Sequence, residues 1–252
     1  VKLCLYFINI TLLLYSVINI KKEYSMIRAN NLKKVYKTGE ISLEVIKDFS
    51  LNINEGEFIS LIGPSGSGKS TVLNMLGCLD TPTKGSLVIE GKDITKMNST
   101  KLANFRGENI GFIFQSFNLI PVLTVYENIE YPLIMIQNLE EDERKKRIIN
   151  LLKEVGMLDQ KDKTPDKISG GQMQRVAIAR ALVTNPKIVF ADEPTANLDS
   201  ATAHLIIELM KKIQKEHNTT FVFATHDEKI VSNVDRLITL VDGVITDDKK
   251  VA

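Results

Sequence analysis

Cysteine is almost absent from this chain of 252 residues: Cys4 and Cys78 are the only two, and they stand far apart. That scarcity excludes a disulfide framework and a cysteine metal site, and it makes a reducing compartment such as the cytosol the default. An excess of charge is missing too. Lys and Arg number 32 against 31 Asp and Glu, a formal net charge of +1, so no global field draws the chain to nucleic acid or to an anionic membrane. Any such partner has to be met through a local surface. Internal repeats and low-complexity linkers are also lacking. With 44% hydrophobic and 25% charged residues the composition is that of a packed globular protein, which rules out intrinsic disorder and a collagen-like rod. The length admits one large α/β domain or two small ones.

Long hydrophobic runs are confined to one place. Leu3 to Ile20 is 18 residues without a charge, 14 of them apolar, flanked by Lys2, Lys21 and Lys22, barely enough to span a bilayer. The chain opens on Val, Met26 precedes the first strand-like run, and 18 of residues 1–25 are Ile, Leu, Asn, Lys, Tyr or Phe, the types favoured by A/T-rich codons. Residues 1–25 are therefore expected to be upstream sequence translated ahead of a true start at Met26, with a membrane anchor as the alternative, and they are set aside in reading the fold.

From Met26 onward, short apolar strands alternate with longer helical segments. Strands are predicted over Ile27 to Tyr36, Glu44 to Ile53, Phe58 to Ile62, Ser86 to Ile89, Ile110 to Phe114, Ile188 to Ala191, Thr219 to Ala224 and Arg236 to Leu240. Helices are predicted over Lys69 to Cys78, Leu139 to Val155, Gln172 to Val183 and Ser200 to Glu216. The near-continuous apolar runs 58–62, 188–191 and 221–224 suit parallel strands covered on both faces. Glu140 to Arg147 sets each acid four residues before a base, as a solvated helix face does.

Three motifs carry chemistry. Gly63, Pro64, Ser65, Gly66, Ser67, Gly68, Lys69 and Ser70 follow the strand ending at Ile62 and open a helix. Glycines let such a loop wrap with its N–H groups pointing at phosphate oxygens, Lys69 supplies a point charge for the β and γ phosphates, and the Ser70 hydroxyl suits Mg²⁺. Next, the strand 188–191 delivers Asp192 and Glu193 at its C-terminal end, where open α/β sheets bind ligands. Asp192 is suited to hold Mg²⁺ and Glu193 to act as general base on water. Last, Ile168-Ser169-Gly170-Gly171-Gln172-Met173-Gln174-Arg175 leads into a helix. Residues alone leave this turn open between a second anion site and a plain helix cap.

The stretch 168–175 resembles the signature motif of the ATP-binding cassette (ABC) family, with Ile168 where Leu is usual and Met173 where Gln is common. The resemblance covers Met26 to about Ala252. It implies an α/β P-loop NTPase (RecA-like) core with an N-terminal antiparallel β subdomain and a helical subdomain inserted at about 115–167, so that 26–252 form one nucleotide-binding domain. It also implies an ATPase that uses Mg²⁺, working as a homodimer in which two subunits sandwich two ATP molecules. Matched by position, Tyr36 is expected to stack on adenine, Gly63 to Thr71 to hold the phosphates, and Gln115 to contact Mg²⁺ and the attacking water. Ser169, Gly171 and Gln172 are expected to face the partner copy's γ-phosphate, Asn197 to Asp199 to cross the dimer, and His226 to sense the γ-phosphate. As residues alone, Tyr36 also fits a hairpin aromatic, Gln115 a polar strand end and His226 a helix cap beside Asp227.

Within the family, Gly77 to Asp80 and the run from Gln115 through Pro121, Glu127, Asn128 and Tyr131 to Leu133 are similar to the lipoprotein-release, macrolide-export and antimicrobial-peptide-resistance group. That likeness implies a separate membrane permease as partner, export or membrane extraction as the task, and a peripheral position on the cytoplasmic face of the membrane. Importer ATPases share the chemistry and stay open as an alternative. Soluble cassette ATPases that work on DNA or ribosomes carry two cassettes or long insertions that 252 residues do not hold, so no nucleic-acid partner is expected.

Overall fold

Strand residues in the centre of the sheet send alternate side chains to two separate cores. In the computed structural model, which describes residues 25–226 and 234–251, Ile188 and Phe190 of one strand pack into one cluster, and Val189 and Ala191 into the other. Phe221 and Phe223 against Val222 and Ala224 divide in the same way. A strand buried on both faces must be apolar throughout, which is why these runs were readable without periodicity. Leu3 to Ile20, and with it both readings of the N-terminal segment, lies outside the described residues, as does Asp227.

The strands are β1 (Ser25–Thr38), β2 (Ile41–Asn54), β3 (Phe58–Ile62), β4 (Lys84–Ile89), β5 (Lys92–Asp93), β6 (Ile110–Ile113), β7 (Ile188–Asp192), β8 (Thr220–Ala224), β9 (Arg236–Val241) and β10 (Val244–Lys250). They form one sheet in the order β5-β4-β1-β2-β10-β9-β3-β8-β7-β6. The half from β9 to β6 is parallel, while β1, β2, β4 and β5 pair antiparallel. The helices are α1 (Lys69–Leu76), α2 (Ser99–Asn109), α3 (Val125–Ile136), α4 (Glu141–Glu154), α5 (Gly170–Leu182) and α6 (Ser200–His217). One core joins α1 and α2 to the antiparallel strands; the other is covered by α3 to α6. This is an α/β P-loop NTPase fold with an antiparallel subdomain at its start. Between β6 and α5 the chain is helical, with α3, α4 and two 3₁₀ turns, Leu158–Gln160 and Pro165–Lys167.

Several expected boundaries move. The first helix stops at Leu76 and not at Cys78, because Gly77 caps it and Cys78 adopts a left-handed φ of 59°. Four of these strands and helices were not anticipated: the two-residue β5; α2, which buries only Leu102 and Phe105; α3, whose Pro132 lies inside the helix; and β10, whose sequence is mostly polar. The charged face of α4 forms only one of its expected i, i+4 ion pairs, Glu143 with Arg147 at 3.5 Å, while Arg144 reaches across to Glu130 of α3 at 3.2 Å. No helix among the described residues is long and apolar enough to cross a membrane.

Candidate functional site

The β9–β10 hairpin sets the back wall of the phosphate loop. Asp242 and Gly243, with φ of 48° and 77°, make the tight turn, and the Gly243 N–H donates to Ser67 O at 3.0 Å. On the same side the loop passes so close to β9 that a Cβ on Gly63 would lie 2.0 Å from Leu240 O. Gly68, at φ 101°, turns the chain into α1 directly beneath Ile46, where a Cβ would sit 2.6 Å from Ile46 Cδ1. Glycine is thus dictated at Gly63 by the backbone it meets and at Gly68 by the left-handed turn. The Lys69 ammonium folds back over the loop and donates to Gly63 O at 2.8 Å and Pro64 O at 3.1 Å.

A cleft of about 580 Å³ opens in front of this loop, lined by Val45, Ser65, Gly66, Gly68, Lys69, Ser70, Thr71, Gln115, Glu193 and His226. Four chain segments far apart in sequence therefore converge at the C-terminal ends of the parallel strands. Ser70 Oγ donates to Asp192 Oδ1 at 3.0 Å. Burial raises the Asp192 carboxyl above its ordinary pKa and the neighbouring Glu193 charge adds to the rise, while the Ser70 hydrogen bond and the Lys69 charge oppose it. Glu193 sits one residue beyond β7 at a left-handed φ of 48°, its N–H donating to Ala224 O at 3.0 Å. This conformation is uncommon for a side chain of its size. It brings Glu193 Oε2 to 2.9 Å from His226 Nδ1, across the ends of β7 and β8.

Gln115 is exposed, two residues past β6, and its carbonyl accepts from Asn197 Nδ2 at 2.9 Å. Leu198 packs against the core and Asp199 caps α6, accepting from Ala201 N and Thr202 N at 3.1 and 3.0 Å. Ser169 and Gln172 form a capping box at the start of α5: Gln172 N donates to Ser169 Oγ at 3.3 Å, and Ser169 N to Gln172 Oε1 at 2.9 Å. A Cβ on Gly171 would press to 2.6 Å from Thr202 Cγ2, so the turn lies tight against α6.

The structure thus gathers Lys69, Ser70, Gln115, Asp192, Glu193 and His226 at one cleft. Ser169, Gly171 and Gln172 do not line it. Tyr36 does not line it either, but it interacts with Thr71 on the cleft's edge and donates its hydroxyl to Asp80 Oδ2 at 2.8 Å. Val45, Asp80 and Lys34 went unnoticed as site residues in the sequence. Asp80 was visible only as part of a group-specific motif, and nothing local in sequence joins it to Tyr36, 44 positions away.

The donor set suits a hard cation. A serine hydroxyl on an aspartate, with a glutamine beside them, offers only oxygen ligands, the choice of Mg²⁺ over softer metals.

Residues 46–196 match the model of the ABC transporter family. The ABC transporter ATP-binding protein MJ0796 of Methanocaldococcus jannaschii is 46% identical over 229 residues, covering 89% of this chain and 97% of that one. YtrE of Bacillus subtilis is 46% identical over 209 residues, 83% of this chain and 90% of its own. The macrolide export ATP-binding/permease protein MacB of Brucella melitensis is 42% identical over 223 residues, 88% of this chain but 34% of its longer one. Among solved structures, the dimeric post-hydrolysis state of MJ0796 bound to ADP and Pi superposes with a TM-score of 0.83 at 44% identity, covering 90% of this chain and 99% of that one. On the match over 46–196 and the near full-length likeness to MJ0796, the chain belongs to the ABC transporter family as an ATP-binding subunit.

Proposed function

We propose that this chain hydrolyses ATP to ADP and phosphate with Mg²⁺, as a homodimer that powers export or membrane extraction through a separate permease. The observation that carries the catalytic part is the convergence of the Ser70–Asp192 and Glu193–His226 pairs on one cleft in front of the phosphate loop. The loop N–H groups from Gly63 to Thr71 and the Lys69 ammonium bind the phosphates. Ser70, Asp192 and Gln115 are the residues that would hold Mg²⁺, which neutralises charge on the β and γ phosphates when bound. Gln115 and Glu193 orient the water, Glu193 takes its proton, and His226 fixes the Glu193 carboxylate through their 2.9 Å contact.

Ser169, Gly171 and Gln172 lie outside that cleft, which favours their serving the nucleotide of a second copy, with Asn197 to Asp199 at the crossing. MJ0796 being dimeric supports the homodimer. The resemblance to MacB, a macrolide export protein, supports export over import. Residues 26–252 would form the nucleotide-binding domain and 115–167 its helical subdomain. A second cleft of about 230 Å³, between Pro132 and Ile136 of α3 and Phe112 and Phe114 at β6, suits a helix of the permease. The chain would then lie peripherally on the cytoplasmic face of the membrane.

The decisive variant is Glu193→Gln. It should retain ATP binding and lose turnover by a factor on the order of 10² to 10⁴, the usual consequence of removing a general base. Steady-state phosphate release by the purified protein measures this, and near wild-type turnover would refute the assignment of the base.

A further inference from the structure

Tyr36 is large, aromatic and 40% exposed, so on its own it would spread over several rotamers. Its surroundings restrict it. Its hydroxyl donates to Asp80 Oδ2 at 2.8 Å. Lys34, two residues earlier on the same face of β1, lies with Nζ 4.9 Å from the ring centroid. The same ammonium donates to Asp80 Oδ1 at 2.5 Å and to Thr81 O at 2.8 Å, and the Thr81 N–H donates to Asp80 Oδ1 at 2.7 Å. Lys34 is itself 8% exposed.

Asp80 in turn is held by the helix that begins at the phosphate loop. α1 starts with Lys69, ends at Leu76, and its Asn74 carbonyl accepts from Leu79 N at 2.8 Å and Asp80 N at 3.0 Å. The left-handed Cys78 makes this reversal possible. One rigid element therefore carries the phosphate cradle at one end and the Tyr36 anchor at the other.

Although burial opposes ionisation, the hydrogen bonds from Lys34, Tyr36 and Thr81 hold the Asp80 carboxyl below its usual range. Burial, then the Asp80 hydrogen bond and charge, push the Tyr36 phenol above its usual range. At neutral pH the carboxylate accepts and the phenol donates.

We propose that Asp80 is the positioning residue for the nucleotide base: it fixes the Tyr36 hydroxyl while Lys34 covers one face of the ring, leaving the other face presented to a purine. The inference rests on the reading of Tyr36 as the surface on which adenine stacks. It adds that the distance from phosphate to base is set by α1, and that the Gly77 to Asp80 motif is there for the base and not only for packing. A pre-set ring loses less freedom when the base arrives, which is where the affinity gain originates.

The test compares Mg²⁺-ATP with Mg²⁺-tripolyphosphate, which offers phosphates without a base, by equilibrium titration of the full chain. Asp80→Ala and Tyr36→Phe should each weaken ATP about fivefold, the worth of one net hydrogen bond, and change tripolyphosphate by less than about twofold. The double variant should be no weaker than either single one, because both remove the same contact. Equal weakening of both ligands by Asp80→Ala makes the residue a tie between β1 and α1 only and overturns the proposal. So does unchanged ATP affinity in folded Asp80→Ala when Tyr36→Ala weakens ATP. If Tyr36→Ala itself leaves ATP binding intact, the adenine reading of Tyr36 fails and takes the inference with it. Should Asp80→Ala not fold, Tyr36→Phe decides: wild-type ATP affinity there overturns the proposal.

Discussion

Asn128 is 1% exposed, yet its amide is satisfied at both ends. Oδ1 accepts from Ile120 N at 2.7 Å, and Nδ2 donates to the carbonyls of Ile120, Leu123 and Thr124 at 3.1, 3.0 and 2.9 Å. The side chain thus replaces a missing turn of backbone hydrogen bonds between Gln115 and α3, and it fixes the path of the chain leaving the cleft. Asn128→Ala removes the partner of the part-buried Ile120 N–H and of the Ile120 and Leu123 carbonyls, so the expected cost is on the order of 1–2 kcal/mol. Urea unfolding of the variant checks it; a midpoint equal to wild type with unchanged slope would show that the segment re-forms without the amide. A similar logic holds at Arg180, whose guanidinium donates to the carbonyls of Phe117 and Asn118. Those two consecutive residues have left-handed φ of 61° and 50°, and the charge on their carbonyls offsets the strain.

Helix α3 illustrates what is and is not legible in sequence. Its start is written locally: Thr124 and Glu127 form a capping box, with Glu127 N donating to Thr124 Oγ1 at 3.2 Å and Thr124 N to Glu127 Oε2 at 2.7 Å. Pro132 in its interior argues against a helix, and packing overrides that signal because Val125, Ile129 and Leu133, four residues apart, are all fully buried in the core of α4 to α6. The phosphate loop, the Asp192-Glu193 pair and the doubly covered strands were readable because each is a contiguous stretch with one physical meaning. The Tyr36–Asp80 contact and the bracing of Gly63 by Leu240 were not, since only the closed sheet brings those residues together. The apolar run after Gln115 divides likewise: Leu119 and Leu123 prove half-buried, whereas Tyr131, Ile134, Met135 and Ile136 are exposed. A strip of that kind on one helix suits an interface. Ile134→Asp and Met135→Asp should leave ATP binding and folding intact, since neither side chain is buried, and should abolish co-purification with the permease. Retention of the complex by both variants would move the docking surface away from α3.

The division of labour between the two glycine-rich turns concerns the molecule as a pair. The phosphate loop opens on the 580 Å³ cleft with Glu193 and His226, while the Ser169 turn lies outside that cleft, capped by its own Gln172 and packed on Thr202. In the two-fold pair proposed above, the positive end of α5 in each copy would close the cleft of the other. On the homodimer proposed above, hydrolysis would require two copies, with the nucleotide at their interface. In a Glu193→Gln background, where ATP is retained, Mg²⁺-ATP should therefore convert monomer to dimer on size exclusion. Adding Ser169→Arg places a long cation at the facing surface and removes one cap, at a stability cost of about 1 kcal/mol, while leaving the phosphate loop untouched. The doubly substituted chain should bind ATP with its own loop and remain monomeric at concentrations where Glu193→Gln dimerises. An ATP-induced dimer of undiminished strength would mean that the Ser169 turn is only a helix cap, the alternative that the residues by themselves left open.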